Sequence, residues 1–266
     1  MKIEYNGTLI NSINSIRIII GASGIADIDS SWDRAERIEP FSRIYITLDG
    51  EGEVISRGVT YKLRRGEVFF IPCGAPIGFK CTGPMRQMFF HVNYIGSDGL
   101  DVFRNCDKAG ALSDIRSLDK LTEAAFKSTR LSDAALFLNL TTEVLAAALD
   151  DAGEHIGKVY SPLINKILSN VSGRADIQLS LKDYADAAFM EESSLSRRFK
   201  SEVGINFSKY VDAVVLNRAA CELLNSTRSI KEISAAYGFC DEFYFSRRFK
   251  QTFGETPSAY RKNHRV

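Results

Sequence analysis

The chain has 266 residues, 45% of them hydrophobic, which is enough to bury more than one core and makes two domains the natural reading. A net charge of +1 excludes a chain that is polybasic or polyacidic throughout. Five cysteines, odd in number and without a CxxC pair, point to reduced, mostly buried thiols rather than a disulfide framework. There is no signal-peptide pattern, and no apolar run long enough to cross a bilayer, so the expectation is a cytoplasmic protein with no membrane partner. The charge is unevenly spread. From Lys158 onward there are 17 Lys and Arg against 12 Asp and Glu, and before it 17 against 21. A basic C-terminal half suits a nucleic-acid partner, although a solvated basic face would give the same count.

Residues 1–110 read as a domain of short strands. Ile16–Gly21, Phe41–Leu48, Glu53–Ser56, Thr60–Leu63, Glu67–Ile71, Ile77–Lys80 and Gln87–Tyr94 are β-branched or aromatic runs, and Asp49-Gly-Glu-Gly52 reads as a turn between two of them. Many short strands closely spaced predict a sandwich or barrel. The run from Tyr45 to Glu53, followed by Tyr61-Lys-Leu-Arg-Arg-Gly66 and Ile71-Pro72-Cys73-Gly74, resembles a cupin barrel, a double-stranded β-helix. Enzymatic cupins hold a metal with histidines. Here only His91, His155 and His264 exist, and none stands near Thr47–Glu53, so a metal site, a cofactor and an enzyme are not expected.

What remains is an interior that could hold one small molecule. Alternation puts Arg43, Tyr45 and Thr47 on one strand face, and Phe89, His91 and Asn93 on another. The ligand-binding candidates are Trp32 and Tyr45 as stacking platforms, Arg43 as a partner for a carboxylate or sugar hydroxyls, and His91. Each has a bland alternative: Trp32 as core, His91 as a structural histidine, Arg43 as a partner of Glu39 or Glu67.

Residues 111–152 switch to helical period. Leu131, Ala135, Leu138, Thr142, Leu145 and Leu149 fall at alternating four- and three-residue steps, and Phe137, Leu140 and Val144 widen the stripe. This predicts a helix packed on the strands and offering a seam to a second copy in a homodimer, with a purely intramolecular core face as the alternative. Residues 153–160 read as a polar linker, and residues 161–266 as an all-α domain opened by Ser161-Pro162.

That last domain contains a repeat. Ser196-Arg-Arg-Phe-Lys200 recurs letter for letter as Ser246-Arg-Arg-Phe-Lys250, and Gly204 recurs as Gly254. Two helix-turn-helix motifs are predicted, at about 181–203 and 230–253, each with an apolar helix face and a basic polar one. Ile230-Lys-Glu-Ile233, Gly238-Phe-Cys-Asp241, Phe245-Ser-Arg-Arg-Phe-Lys250, Gly254, Thr256-Pro257 and Tyr260-Arg261 carry a resemblance to the AraC/XylS family of bacterial transcription regulators. The first motif departs from that pattern. Phe189 stands where the family has Gly, and Glu191 and Glu192 open its second helix.

The resemblance implies an α+β multidomain protein: a cupin-like sensing barrel, a helical dimerisation segment and a C-terminal tandem helix-turn-helix. Its partners would be double-stranded DNA, RNA polymerase and a small-molecule effector, with a sugar the leading candidate. It implies activation of transcription. Ser193, Ser196, Arg197, Glu242, Phe243, Ser246 and Arg247 would face base edges. Ser180, Lys182, Arg198, Lys200, Ser229, Lys231, Arg248 and Lys250 would lie near phosphates. Two rivals from other classes are a cupin-type metal enzyme with a vestigial helix-turn-helix, which bound metal would reveal, and a protein–protein adaptor, which weak and salt-insensitive DNA binding would reveal.

Overall fold

The computed structural model describes residue 14 and residues 16–96, 98–152 and 160–264; most of the predicted linker at 153–160 lies outside these. Residues divide into two compact units. One holds Ile18–Tyr94 and Asp101–His155; the other is built mainly from Ile156–Val266 and includes Ile95–Leu100.

The first unit is organised on a seven-stranded antiparallel sheet. Its strands are β1 (Arg17–Ile28), β2 (Arg34–Ile38), β3 (Ser42–Ser56), β4 (Val59–Leu63), β5 (Val68–Ile71), β6 (Pro76–Ile95) and β7 (Gly110–Leu112). The order is β1-β6-β3-β5-β7, with β2 also on β6 and β4 also on β3. Two corrections to the sequence reading stand out. Asp49-Gly-Glu-Gly52 is no turn: β3 runs straight through it, paired to β6 with register shifts between Thr47 and Asp49 and between Gly50 and Gly52. Such irregularities bend a strand without ending it. Gly50 is required there, at φ +71, because a Cβ would sit 2.0 Å from the carbonyl oxygen of Pro84. Likewise β6 is one strand, not the two short ones predicted. The sequence reading also missed β2, whose Arg-Ala-Glu-Arg-Ile is too charged to look like a strand.

One face of the sheet buries Tyr45, Val54, Leu63, Phe69, Ile71, Ile77, Phe79, Met85 and Phe89, with Trp32 and Tyr61 packed against them. The opposite face carries Val68, Phe70, Phe90 and Tyr94. Two helices complete the unit, α1 (Glu123–Phe126) and α2 (Leu131–Ala152). Phe90, Phe126 and Phe137 meet ring to ring, and the Tyr94 hydroxyl donates to the Thr141 carbonyl at 2.7 Å. α2 turns Phe137, Leu140, Val144 and Ala148 inward, whereas Leu131, Ala135, Leu138 and Thr142 are exposed. Most of the 3.5-residue stripe therefore lies on the surface, and the residues that seemed only to widen it form the core. Among the described residues α2 alone is long and apolar enough to cross a membrane, by length and composition, with apolar residues on both its buried and its exposed face.

The second unit is helical. Its elements are α3 (Pro162–Arg174), α4 (Leu181–Ala187), α5 (Glu192–Val203), α6 (Phe207–Asn225), α7 (Ile230–Ala236), α8 (Glu242–Phe253) and α9 (Pro257–His264). Pro162 starts α3 where its missing N–H costs nothing, and the Ser161 N–H and hydroxyl donate to the Glu202 carboxylate at 2.8 Å each. Asn206 caps α6 by accepting from the Lys209 N–H. α6 is not apolar on one side only. Tyr210, Val211, Val214, Val215, Leu216, Ala219, Ala220 and Leu223 are all buried, as in a central helix enclosed by its neighbours. At 19 residues it is about 29 Å long, a rigid spacer between the two motifs. Residues 95–100 are fastened into this unit: the Tyr160 hydroxyl donates to the Asp98 carboxylate and the Tyr210 hydroxyl to its carbonyl.

Candidate functional site

Each motif pairs a seven-residue helix with a twelve-residue one: α4 with α5, and α7 with α8. On α5, Leu195, Phe199 and Val203 are buried; on α8, Phe245 and Phe249 are. Phe249 lies 5.6 Å from Phe245, 4.4 Å from Phe253 and 5.2 Å from Tyr260, an aromatic column that fixes how far α8 stands out. The opposite faces carry Ser193, Ser196, Arg197 and Lys200 on α5 and Phe243, Ser246, Arg247 and Lys250 on α8. All eight are exposed or half-buried, at steps of three, one and three residues. That spacing puts each quartet on a single helix face. Glu242 is half-buried at the start of α8, beside its quartet.

The turns differ. Phe189 takes φ +52 and Gly238 φ +77, and the next N–H closes each turn in the same way, Met190 to Ala185 and Phe239 to Ser234. From Ser180 to Ser229 the repeat offset is 49; from Glu192 to Glu242 it is 50. Cys240 is the additional residue, between the turn and the cap of α8. Gly238 has a second constraint, since a Cβ would lie 2.2 Å from a carboxylate oxygen of Asp176. Phe189 is 98% exposed.

Capping also separates the motifs. Asp241 accepts from the Tyr244 N–H at 2.7 Å, and that bond holds its carboxyl below the usual carboxylate range. Glu191, at the same place on α5, makes no side-chain cap bond. Ser229 and Glu232 form a reciprocal capping box on α7, whereas Ser180 caps α4 by accepting from the Lys182 N–H. Both serine hydroxyls thus serve their own helices, while Lys182 and Lys231 project two residues further on, exposed.

The arginines fall into two groups. Arg248 is ion-paired to Asp212 of α6, and Arg198 to Glu202 at 3.0 Å; both lie off the quartet face and brace the motifs internally. Arg247 and Arg197 are exposed. The Arg247 guanidinium lies 5.4 Å over the Tyr244 ring, whereas Arg197 leans back on its own helix toward the Ser193 carbonyl at 3.4 Å. Sequence reasoning passed over Tyr244, although an aromatic three residues before an arginine on a helix is a recognisable platform. Ser194 occupies that place in α5.

In the sheet unit, register confirms the alternation: Arg43 pairs His91, Tyr45 pairs Phe89 and Thr47 pairs Gln87, all on the Phe79 face. The four ligand candidates come together there. Trp32 stacks on Phe79 at 4.5 Å and lies 6.2 Å from Tyr45; His91 stacks on Phe41 at 4.4 Å; the Arg43 guanidinium lies 4.8 Å over Phe41 and 5.4 Å over Phe79. Arg43 reaches Glu39, as its bland reading had it, at 3.5 Å. Arg34 and Arg37 join the same carboxylate, which the sequence reading did not anticipate. Depressions of about 270 and 290 Å³ lie on the other face, lined by Phe70, Phe103 and Ala148 and by Val68, Leu112 and Ile115, and none of the four candidates borders them. Among the described residues no cluster of three His, Cys, Asp or Glu could hold a metal.

Two apolar-backed helices with matched polar quartets, spaced by one buried helix, define a tandem helix-turn-helix DNA-binding protein. A helix-turn-helix domain family matches residues 184–263. The chain is 35% identical over 104 residues to the transposon Tn10 TetD protein of Escherichia coli, spanning 39% of this chain and 75% of that one. It is 23% identical to the Msm operon regulatory protein of Streptococcus mutans, over 94% of both chains. It is 26% identical to the transcriptional activator RhaS of Yersinia pseudotuberculosis, over 85% of this chain and 88% of the other. Among solved structures, ToxT from Vibrio cholerae shares the fold at 13% identity, with a TM-score of 0.55 over 93% of this chain and 98% of its own. The chain belongs to the AraC/XylS family of transcriptional regulators, and is a DNA-binding regulator rather than an enzyme.

Proposed function

We propose that the protein is an effector-controlled transcription activator that reads DNA with α5 and α8 in successive major-groove turns. The observation that carries this is the pair of matched quartets, Ser193/Ser196/Arg197/Lys200 and Phe243/Ser246/Arg247/Lys250, exposed or half-buried on helices whose other faces are locked in the core. Arg197 and Arg247 fork onto guanine, Phe243 meets a thymine methyl, Glu242 accepts from cytosine, and Ser193, Ser196 and Ser246 complete the contacts. Lys182, Lys200, Lys231 and Lys250 meet phosphates. Arg198 and Arg248 are tied to carboxylates and act first as braces. Ser180 and Ser229 shape the helix starts that approach the backbone.

The sheet closes into a cupin-like barrel whose Phe79 face receives a small effector, a sugar or sugar derivative, beside Trp32, Arg43, Tyr45 and His91. Relatives named as a lactose operon transcription activator and as RhaS support activation and a carbohydrate-linked signal. The exposed stripe Leu131, Ala135, Leu138 and Thr142 of α2 pairs with a second copy, because its steps of four, three and four match a two-helix seam. The effector acts by binding one arrangement of the chain better than another, changing DNA occupancy or contact with RNA polymerase in the cytoplasm. Selection of bound sequences from random duplex DNA at fixed salt tests the reading. Two half-motifs about 34 Å apart are expected; one half-motif removes α5 from base reading, and none with or without candidate sugars refutes the proposal.

A further inference from the structure

Glu39 is 3% exposed, and one of its oxygens, Oε1, draws three guanidinium groups: Arg37 at 2.6 Å, Arg34 at 3.0 Å and Arg43 at 3.5 Å. An odd spacing would ordinarily send Arg34 and Arg37 to opposite faces of β2. The register shift between them undoes this, so that Arg34 lies opposite Phe79 and Arg37 opposite Ile77, both core residues. The strand irregularity thus serves to gather charge. The Arg34 guanidinium lies 4.4 Å over the Phe79 ring, which Arg43 shares from 5.4 Å. Burial, and then the neighbouring charge of Arg43, pull the Arg34 pKa down to about 10.

Buried donors accompany this crowding. The Nε of Arg34 has no hydrogen-bond acceptor among the described residues. Nor has the Nε2 of Gln87, which is 1% exposed and lies on the same face, four residues along β6 from His91, the partner of Arg43. Buried donors without acceptors are costly, and cations held close in an apolar site are more so. Both costs are relieved by one kind of visitor: a molecule rich in acceptors and negatively charged. Arg34 keeps 24% of its side chain exposed and Arg37 34%, so the cluster is open to an arriving ligand.

We propose that the effector is a small organic anion whose carboxylate or phosphate seats between Arg34, Arg37 and Arg43, its body lying on the Trp32–Phe79 stack. This rests on the reading that the Phe79 face is the effector site, and narrows the ligand from sugars in general to acidic ones, such as sugar acids or sugar phosphates. Guanidinium forks suit both oxyanions, and the aromatic stack suits a pyranose face.

The test uses the full-length protein and Arg34→Gln, which keeps a similar stem and removes the charge. Thermal unfolding is followed in acetate and in inorganic phosphate against chloride at matched ionic strength. Titration calorimetry then compares glucose and galactose with their uronic acids and 6-phosphates. Wild type is expected to be stabilised by the oxyanions and to bind one acidic series, uronate or phosphate, in preference to the neutral sugars, with Arg34→Gln weakening that binding about tenfold or more. Identical anion responses of wild type and Arg34→Gln overturn the proposal. A neutral sugar bound equally by both proteins overturns it too, while leaving the effector reading intact. If anions fail and neutral sugars change neither unfolding nor DNA affinity, the effector reading falls with it. Arg43→Gln, at a fully buried position, is a second variant: if it folds, it is expected to lose the same anion response.

Discussion

Replacing Arg247 by Ala separates base reading from backbone attraction. Arg247 is exposed and makes no ion pair among the described residues, so its loss leaves no buried group stranded, and the fold should change by less than about 0.5 kcal/mol. On the proposed reading, what is lost is a forked contact to one base pair, worth about 1–3 kcal/mol of discrimination, or about 5- to 150-fold in relative affinity. On the same reading the Tyr244 ring, 5.4 Å from the guanidinium, holds the fork in place. Tyr244→Leu should therefore lower discrimination at the same base by about two- to fivefold, the size of an exposed cation–π contact. Lys250→Ala is the control: it should weaken all sequences alike and reduce the slope of log affinity against log salt by about 1. The assay is fluorescence anisotropy on a selected site and its single-base variants, at several salt concentrations. If Arg247→Ala weakens every variant equally, Arg247 reads no base and the assignment of the α8 face is wrong.

Three further outcomes are expected. If α2 joins two copies as proposed, Leu138→Asp, on its outer face, should shift the protein toward monomer in light scattering while its circular dichroism is unchanged; an unaltered mass would refute pairing through α2. Phe189→Gly should raise stability by about 0.5 kcal/mol, since relief of a left-handed Phe slightly exceeds the entropy glycine costs, and the ring buries almost nothing; a lower melting temperature would show that the ring packs on something. Asp241 and Glu232 have carboxyls held below their usual range by N–H and hydroxyl donors at the starts of α8 and α7. A depressed folded pKa adds stability above the unfolded value and loses it as pH falls through the folded one, so the second motif should weaken below about pH 4. Asp241→Asn, which keeps the cap without the titration, should flatten that decline.

The helical half was legible because its signals are local. A repeated pentapeptide, glycines at positive φ, serine caps and phenylalanines four apart each fix a helix or its end without help from distant residues. The sheet was less so, for reasons seen at single residues. Gly50 and Gly52 look like a turn but absorb register shifts inside a 15-residue strand, and only the approach of Pro84 from β6 reveals this. Arg34 and Arg37 cannot share a face at period two, so no alternation rule finds them beside Arg43. The four ligand candidates could be placed on one face from the sequence because they obey that rule or are rare aromatics. Glu39, which gathers the arginines, was visible only as a bland alternative. In α2 the heptad spacing was read correctly, but a sequence does not say which of two overlapping stripes faces inward.

Two motifs in tandem, made unequal by the single extra residue Cys240, give the molecule a direction. A protein made of two identical reading heads related by a twofold axis looks the same from either end of its site. Here the heads follow one another along one chain, one capped by Asp241 and turning on glycine, the other uncapped and turning on Phe189. Such a chain laid on a duplex has a front and a back. A regulator with that polarity can present the same surface toward the start of a gene each time it binds, and a site placed in reverse would be, for it, a different address.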